Sequence, residues 1–331
     1  MSALRVAVIG AGSFGRQHVR AIKELAAADL VAIVDIDVDK AQQLATEFGS
    51  HAYDETGELL SKIDAAIIAT PTFTHEQIAT RLLEAGIDLL VEKPIADTSA
   101  AGERLARLAE RKSRILQAGH LERFNPAVKA LEQALTVPLF FEVHRLSTFT
   151  PRSLDIDVIL DLMIHDLDIV LSFMRETPAE IHAAGISVLS PRVDIANVRL
   201  SFPSGCVANL TASRVSTEKV RKLRLFQPGE YISLDYQRQD AFRVAVRKNE
   251  PNPATGEFVS QNSPQFDFSH LPVERGEPLK LELAAFFAAV RDRTRPPVDG
   301  FEAANTLRIA EAILDKIREH AELVAETLRR P

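Results

Sequence analysis

The sequence predicts an α/β protein of two domains, a doubly wound parallel sheet followed by an α+β domain on a large, mainly antiparallel sheet. Three observations carry this expectation. A strand, a glycine-rich turn and a helix open the chain in immediate succession. Apolar strands then alternate with amphipathic helices as far as about Gly119, the pattern of a parallel sheet covered on both faces. Beyond about Phe124, strand-like runs follow one another across short turns, which calls for antiparallel pairing. The expected domains are residues 1–122 and 123–331, the closing helices being free to pack back on the first. A chain of 331 residues, 46% hydrophobic and 26% charged, has material for two cores.

The first element, Leu4–Ile9, is a short β-branched run suited to a strand buried on both faces. Gly10-Ala11-Gly12-Ser13-Phe14-Gly15 follows it and spells G-x-G-x-x-G, and helical spacing of apolar residues continues from Ser13 to Ala27. In that context Gly10 makes a tight turn, Gly12 lets a pyrophosphate approach the backbone, and Gly15 lets helix and strand pack closely. The helix N-terminus offers unpaired N–H groups to the phosphates. The second strand, Leu30–Val34, ends at Asp35, twenty residues after Gly15, where a carboxylate grips two ribose hydroxyls and repels a 2′-phosphate. These parts together predict a Rossmann dinucleotide site that takes NAD.

Further strands are expected at His51–Tyr53, Ile63–Ala69, Ile87–Val91 and Ile115–Gln117, and helices at Val38–Phe48, Thr56–Lys62, Thr74–Ala85 and Thr98–Lys112. In the second domain a helix at Pro126–Leu135 leads to a strand at Leu139–Phe149, a polar loop at Thr150–Asp157 and an apolar helix at Val158–Met174. Strands follow at Glu180–Leu189, Asp194–Phe202, Cys206–Ser213, Arg221–Phe226, Tyr231–Asp235 and Ala241–Arg247. Residues Asn249 to Glu277, rich in Pro, Gly, Asn, Ser and Gln, read as a long loop, and two helices, Pro278–Arg291 and Phe301–Leu328, close the chain.

A net charge of −7 gives no reason to expect a nucleic-acid or anionic-membrane partner. The single cysteine, Cys206, rules out an intrachain disulfide and any multi-cysteine metal site. The first strand begins too early for a signal peptide, and no apolar run approaches the ~18 residues of a membrane span, so a cytoplasmic protein is expected.

Three places carry candidate chemistry. Thr70-Pro71-Thr72 ends the fourth strand with His75 just beyond, at the ligand edge of the sheet; for His75 the alternative is a capping or surface histidine. Glu92-Lys93-Pro94 ends the next strand, where Lys93 is either a proton carrier or half of a strand-end salt bridge. Asp161, His165 and Asp168 fall at i, i+4 and i+7 on an otherwise apolar helix, and an Asp one turn before a His suits a general base. A satisfied core pair and a metal pair are the alternatives there.

The order and spacing of these motifs resemble the Gfo/Idh/MocA oxidoreductases, and the likeness runs on through Glu277-Pro278-Leu279, Glu282-Leu283 and Arg295-Pro296-Pro297-Val298. The resemblance implies that Lys93 and His165, one from each domain, handle a substrate hydroxyl's proton while Asp161 supports them. It implies also an open-faced antiparallel sheet that joins copies of the chain into a homodimer or homotetramer. Family members carry glycines before the Asp and between Asp and His; here Val158, Ile159 and Met163 stand in those places, so the helix start is bulkier. Gly119-His120-Leu121-Glu122-Arg123-Phe124-Asn125-Pro126, with Arg145 and Phe149-Thr150-Pro151-Arg152, resembles a narrower group, the UDP-N-acetylglucosamine 3-dehydrogenases. By that likeness Arg123 and Arg152 are candidate cations for a pyrophosphate and Asn125 a partner for the sugar, with structural ion pairs the alternative for each arginine. The implied activity is NAD-dependent oxidation of a sugar secondary alcohol. A free sugar, inositol or other polyol substrate is the alternative, and a non-catalytic NAD-binding sensor is a reading of another class.

Overall fold

The computed structural model describes residues 3–150, 156–246 and 265–329. Its contacts divide the chain into two units: Met1–Phe124 with Gly276–Ala312, and Asn125–Arg275 with Ile313–Pro331. Segment 276–312 thus groups with the first unit, and the rest of the last helix with the second.

The first unit is a six-stranded parallel sheet of β1 (Leu4–Ile9), β2 (Ala28–Val34), β3 (His51–Tyr53), β4 (Ala65–Ile68), β5 (Asp88–Glu92) and β6 (Leu116–Gly119). The strand order β3-β2-β1-β4-β5-β6 reverses between β1 and β4, and such a switch point opens a crevice for a ligand at the strands' carboxyl ends. Helices α1 (Ser13–Leu25), α2 (Val38–Phe48), α3 (His75–Glu84) and α4 (Ser99–Lys112) connect the strands. Thr98 caps α4 by accepting from Ala101 N–H at 3.2 Å, as its place before a helical pattern predicts. The segment expected as a helix over Thr56–Lys62 makes only a 3-10 turn at Gly57–Leu59, since seven residues with a glycine in second place cannot nucleate an α-helix alone.

What draws the late segment into this unit is apolar spacing. Leu283, Phe286 and Phe287, at i, i+3 and i+4, are fully buried in the core with Val8, Val19, Ile22 and Ile33. Burial of each such side chain favours the fold by ~1.5–3 kcal/mol.

The second unit holds α5 (Pro126–Ala134), β7 (Phe140–Thr148), a π-helical turn (Ile159–Met163) that runs into α6 (Ile164–Met174), and seven more strands. These are β8 (Glu180–Ile186), β9 (Ile195–Ser201), β10 (Val207–Ser216), β11 (Val220–Gln227), β12 (Glu230–Asp235), β13 (Asp240–Val246) and β14 (Phe266–His270). Their order is β14-β13-β12-β11-β7-β10-β9-β8. Every pair is antiparallel except β7–β10, which the sequence reading did not anticipate, because chain order does not reveal which strand a later one will join.

Strand β14 corrects the expected loop over Asn249 to Glu277, of which 249–264 lies outside the described residues. Its signal was the alternation Phe266-Asp267-Phe268, outweighed by the surrounding turn-formers. Phe141, Val143, Leu225 and Ile232 on the covered face of the sheet are buried, and Phe141 stacks on Phe173 of α6 with ring centroids 6.4 Å apart. On the opposite face Phe140, Phe226, Tyr231, Val244 and Phe268 are successive cross-strand neighbours, and Phe268 is 67% exposed. The last two helices are α7 (Pro278–Asp292), in the first unit, and α8 (Gly300–Arg329), whose residues are divided between the two. No helix among the described residues is long and apolar enough to cross a membrane.

Candidate functional site

In the first unit the glycine turn is fixed by close packing. Gly10 has φ +105°, donates its N–H to Val34 O at 2.7 Å, and a Cβ there would lie 2.5 Å from Ala69 O. A Cβ on Gly15 would fall 1.7 Å from Gly10 O, so helix and turn meet as the motif requires. Above Gly12 nothing lies within 4 Å of an added Cβ. Gly12 precedes α1 with no side-chain cap, and no acidic residue sits in the first turn, so its leading N–H groups suit an anion. Ser13 and Phe14 are exposed there. Asp35 ends β2 with Oδ2 accepting from Ala11 N–H at 2.7 Å and Oδ1 from Asp37 N–H at 2.9 Å. Each carboxylate oxygen keeps further acceptor capacity for ribose hydroxyls. Open space over Gly12, an uncapped helix start and an oriented carboxylate together fit a dinucleotide.

At the end of β4, Thr74 Oγ1 donates to Pro71 O at 2.8 Å and can accept from Thr70 Oγ1, 2.7 Å away. Pro71 and Thr72 lead into the 3-10 turn Thr72–Thr74. His75 is not the surface histidine of the alternative reading. Its ring is buried, with Nδ1 2.9 Å from Pro94 O and Nε2 2.8 Å from Thr70 O. Both nitrogens face carbonyls, so the imidazole packs between the Thr70-Pro71 turn and the Lys93-Pro94 turn, donating from whichever nitrogen carries the proton.

Lys93 follows β5 and is half-buried. The preceding carboxylate has a partner the sequence reading missed: Glu92 Oε1 lies 2.7 Å from Nε2 of the fully buried His18 on α1, and Oε2 accepts from Lys93 N–H at 3.3 Å. Burial works to raise the Glu92 carboxyl, yet the His18 hydrogen bond and the charges of His18 and Lys93 leave it below the ordinary range. His18 lies one turn into α1 on its buried face, a lone histidine with no motif around it.

The second unit carries the Asp161–His165 segment. The expected continuous α-helix begins instead with a π turn, Ile164 N–H bonding Ile159 O. An i→i+5 turn inserts one residue, so Asp161 lies in a wider turn than the stripe argument assumed, while His165 and Asp168 share α6. Asp161 and His165 are half-buried and Asp168 is buried. Beside His165, Asp166 takes a bidentate pair from Arg145 of β7, with Nε to Oδ2 at 2.6 Å and Nη2 to Oδ1 at 2.8 Å. The Arg145 guanidinium lies 5.2 Å from the Tyr236 ring centroid. Upstream, Asp157 Oδ1 accepts from Val193 N–H at 2.9 Å, and Asp194 gathers the N–H groups of Val188, Leu189 and Ser190 at 2.7, 2.6 and 2.9 Å. Burial opposes ionisation of Asp194, but the Ser190 hydroxyl and those N–H groups draw its carboxyl down to about 2.

Two residues expected at the substrate make structural contacts here. Arg123 Nη2 donates to Glu302 Oε2 at 2.8 Å and Pro297 O at 3.2 Å, the structural ion pair of the alternative reading. Asn125 is buried as the N-cap of α5: Oδ1 accepts from Ala127 N–H at 3.1 Å and Nδ2 donates to Tyr236 O at 3.0 Å. Asn before Pro at a helix start is itself a capping signal, and it had that meaning here. Arg152 lies outside the described residues. The Cys206 thiol is pushed up to about 11 by burial and by the Glu176 charge, so it is no nucleophile at neutral pH. Among the described residues no three His, Cys, Asp or Glu side chains form a metal cluster.

Comparison with known proteins adds the following. Residues 4–120 match the family model described as oxidoreductase family, NAD-binding Rossmann fold, and residues 138–227 match that of the GFO/IDH/MocA C-terminal domain. A UDP-N-acetylglucosamine 3-dehydrogenase of Acidithiobacillus ferrooxidans is 38% identical over 70% of this chain and 74% of its own. Inositol 2-dehydrogenase 1 of Saccharopolyspora erythraea is 33% identical over 50% of this chain and 53% of its own. Among solved structures, the A. ferrooxidans UDP-N-acetylglucosamine 3-dehydrogenase superposes with a TM-score of 0.88 at 30% identity, covering 97% of this chain and 99% of that one.

Proposed function

The chain belongs to the Gfo/Idh/MocA oxidoreductase family, and from that premise we propose that it oxidises the 3-hydroxyl of UDP-N-acetylglucosamine to the 3-ketone with NAD. The observation that carries this reading is the likeness to the A. ferrooxidans enzyme over nearly the whole chain.

In the proposed mechanism the N–H groups at Gly12, Ser13 and Phe14 hold the pyrophosphate, Gly10 and Gly15 keep the turn tight beneath it, and Asp35 takes the ribose hydroxyls. Thr70, Pro71 and Thr72, braced by His75, wall the cofactor, and Glu92 backs Lys93. NAD, when bound, supplies the nicotinamide C4 that accepts the carbinol hydride. Lys93 and His165 are assigned the hydroxyl proton, which leaves to one of them as the carbonyl forms. Asp161 is assigned the support of the imidazolium. The same reading puts the enzyme in the cytoplasm as a homodimer or homotetramer joined through the open face of the large sheet. Its row of Phe140, Phe226, Tyr231, Val244 and Phe268 is the support for that face.

A second reading keeps the fold and takes inositol or another free polyol. The observation in its favour is that Arg123 pairs with Glu302 and Asn125 caps α5, contacts that a nucleotide sugar would have to share. The test is reduced-nicotinamide fluorescence with UDP-N-acetylglucosamine, UDP-glucose, glucose and myo-inositol. Turnover of the first is expected. Turnover of myo-inositol or glucose alone favours the second reading, and NAD binding with no turnover favours a non-catalytic sensor.

A further inference from the structure

Behind Lys93 lies a polar cluster that hydride transfer does not itself require. Glu92 and Gly119 are cross-strand neighbours on β5 and β6, and Gln117, two residues earlier on β6, points to the same face. A Cβ on Gly119 would sit 3.0 Å from Glu92 Oε2, so the carboxylate rests against that glycine. Helix α1 brings His18 to Glu92, and α7 brings Glu282, whose backbone carbonyl accepts from Gln117 Nε2 at 3.4 Å. His18, Gln117 and Glu282 are each 0% exposed. Among the described residues neither carboxyl oxygen of Glu282 has a hydrogen-bond partner, and the same holds for Gln117 Oε1 and His18 Nδ1.

Packing does not account for a carboxyl at 282. Leu283, Phe286 and Phe287 follow it on α7, and a leucine there would extend the same apolar surface with no desolvation cost. Two carboxyls closed to water and near enough to feel each other's charge do not both ionise. Glu92 has the His18 imidazole, the Lys93 N–H and the Lys93 charge, whereas burial and the Glu92 charge hold Glu282 well above the ordinary carboxyl range. The anion therefore settles on Glu92 and the proton on Glu282.

We propose that Glu282 is a positioning residue for the Lys93 end of the site: as the neutral acid it keeps its proton and offers it as a hydrogen-bond donor to the Glu92 cluster, holds that cluster to one negative charge, and so sets the field under the Lys93 ammonium. Around it the groups able to carry charge are His18 from α1, Glu92 and Lys93 from the end of β5, and Glu122 and Arg123 from the 3-10 turn Leu121–Phe124. Arg123 is neutralised by Glu302. On α7 itself, Glu277 and Lys280 are paired with Arg20 and Glu24 of α1. The effect of Glu282 on turnover presupposes the role assigned above to Lys93; its protonation does not.

Infrared difference spectroscopy of the full chain at neutral pH is the test, with a protonated-carboxyl band expected in wild type and absent from Glu282→Gln. Turnover is followed with UDP-N-acetylglucosamine, or with myo-inositol if that is the alcohol accepted. Glu282→Met, which fills the space without a donor, should lose about tenfold or more in kcat at unchanged NAD affinity, and Glu282→Gln should return to within about threefold of wild type. No band lost in Glu282→Gln, a Met variant as active as wild type, or a Gln variant as impaired as Met would each overturn the proposal. Near-normal turnover of Lys93→Met with the band intact would remove the role of Lys93, and the link from Glu282 to the chemistry with it.

Discussion

Behind Lys93, in the first unit, the buried polar side chains are an imidazole and two carboxyls with several hydrogen-bonding atoms still unmatched. Beside His165, in the second unit, Arg145 and Asp166 meet in a bidentate ion pair, both all but closed to solvent. The first arrangement can redistribute a proton; the second cannot, because a guanidinium does not give one up. The cluster in the first unit is thus built to respond to charge and the ion pair in the second to hold a helix still.

The largest expected effect tests whether the two ends belong to one reaction. His165→Ala and Lys93→Met should each lower turnover by on the order of 10²–10⁴-fold while NAD binding, followed by nicotinamide or protein fluorescence titration, stays nearly intact. If both variants keep near-normal turnover, the pairing is wrong. Next comes the rigidity of the second unit. Arg145→Met strands Asp166 in a dry interior and should cost about 3–5 kcal/mol of stability by denaturant unfolding, and adding Asp166→Leu should recover much of it. Equal losses in the single and double variants would mean that the pair does not hold α6.

A smaller and pH-dependent effect is expected at Asp194, which folds the loop that receives the N-terminal end of the Asp161 segment. Its carboxyl is held at about 2 in the folded chain against ~3.9 unfolded, so it contributes about 2–3 kcal/mol that is fully present above pH ~4 and is lost as pH falls through 2. The stability curves of wild type and Asp194→Asn should be apart at neutral pH and converge in acid; parallel curves would refute this. The smallest effect is at the cofactor's far end. Asp35→Ala should erode the preference for NAD over NADP by about tenfold in kcat/KM, since one charged hydrogen-bonding site is removed. An unchanged preference would place the ribose contact elsewhere.

The parts of the candidate site that could be read from the chain are those whose chemistry is local. The glycine turn is legible because Gly10 and Gly15 answer to atoms a few residues or one strand away, and Asp35 because it ends the strand that follows. Asn125 is legible too, as a helix cap before a proline. Arg123 was not legible, because its partner Glu302 lies far along the chain and nothing near either residue announces the other. His18 and Glu282 were hidden for the same reason: each is a single polar residue on an amphipathic helix, and only the packing of α1 and α7 on one sheet brings them to Glu92.

The sequence by itself determined the periods, the glycine turn, the strand-end motifs and hence the parallel first sheet, because these depend on neighbours within a few residues. Only the tertiary structure decided where the closing segment divides between the units, that β7 and β10 run parallel, that Asp161 begins its helix in a π turn, and that His18 meets Glu92. Those outcomes are fixed by which distant apolar faces and charges find one another as the chain closes, and a linear pattern carries no record of that.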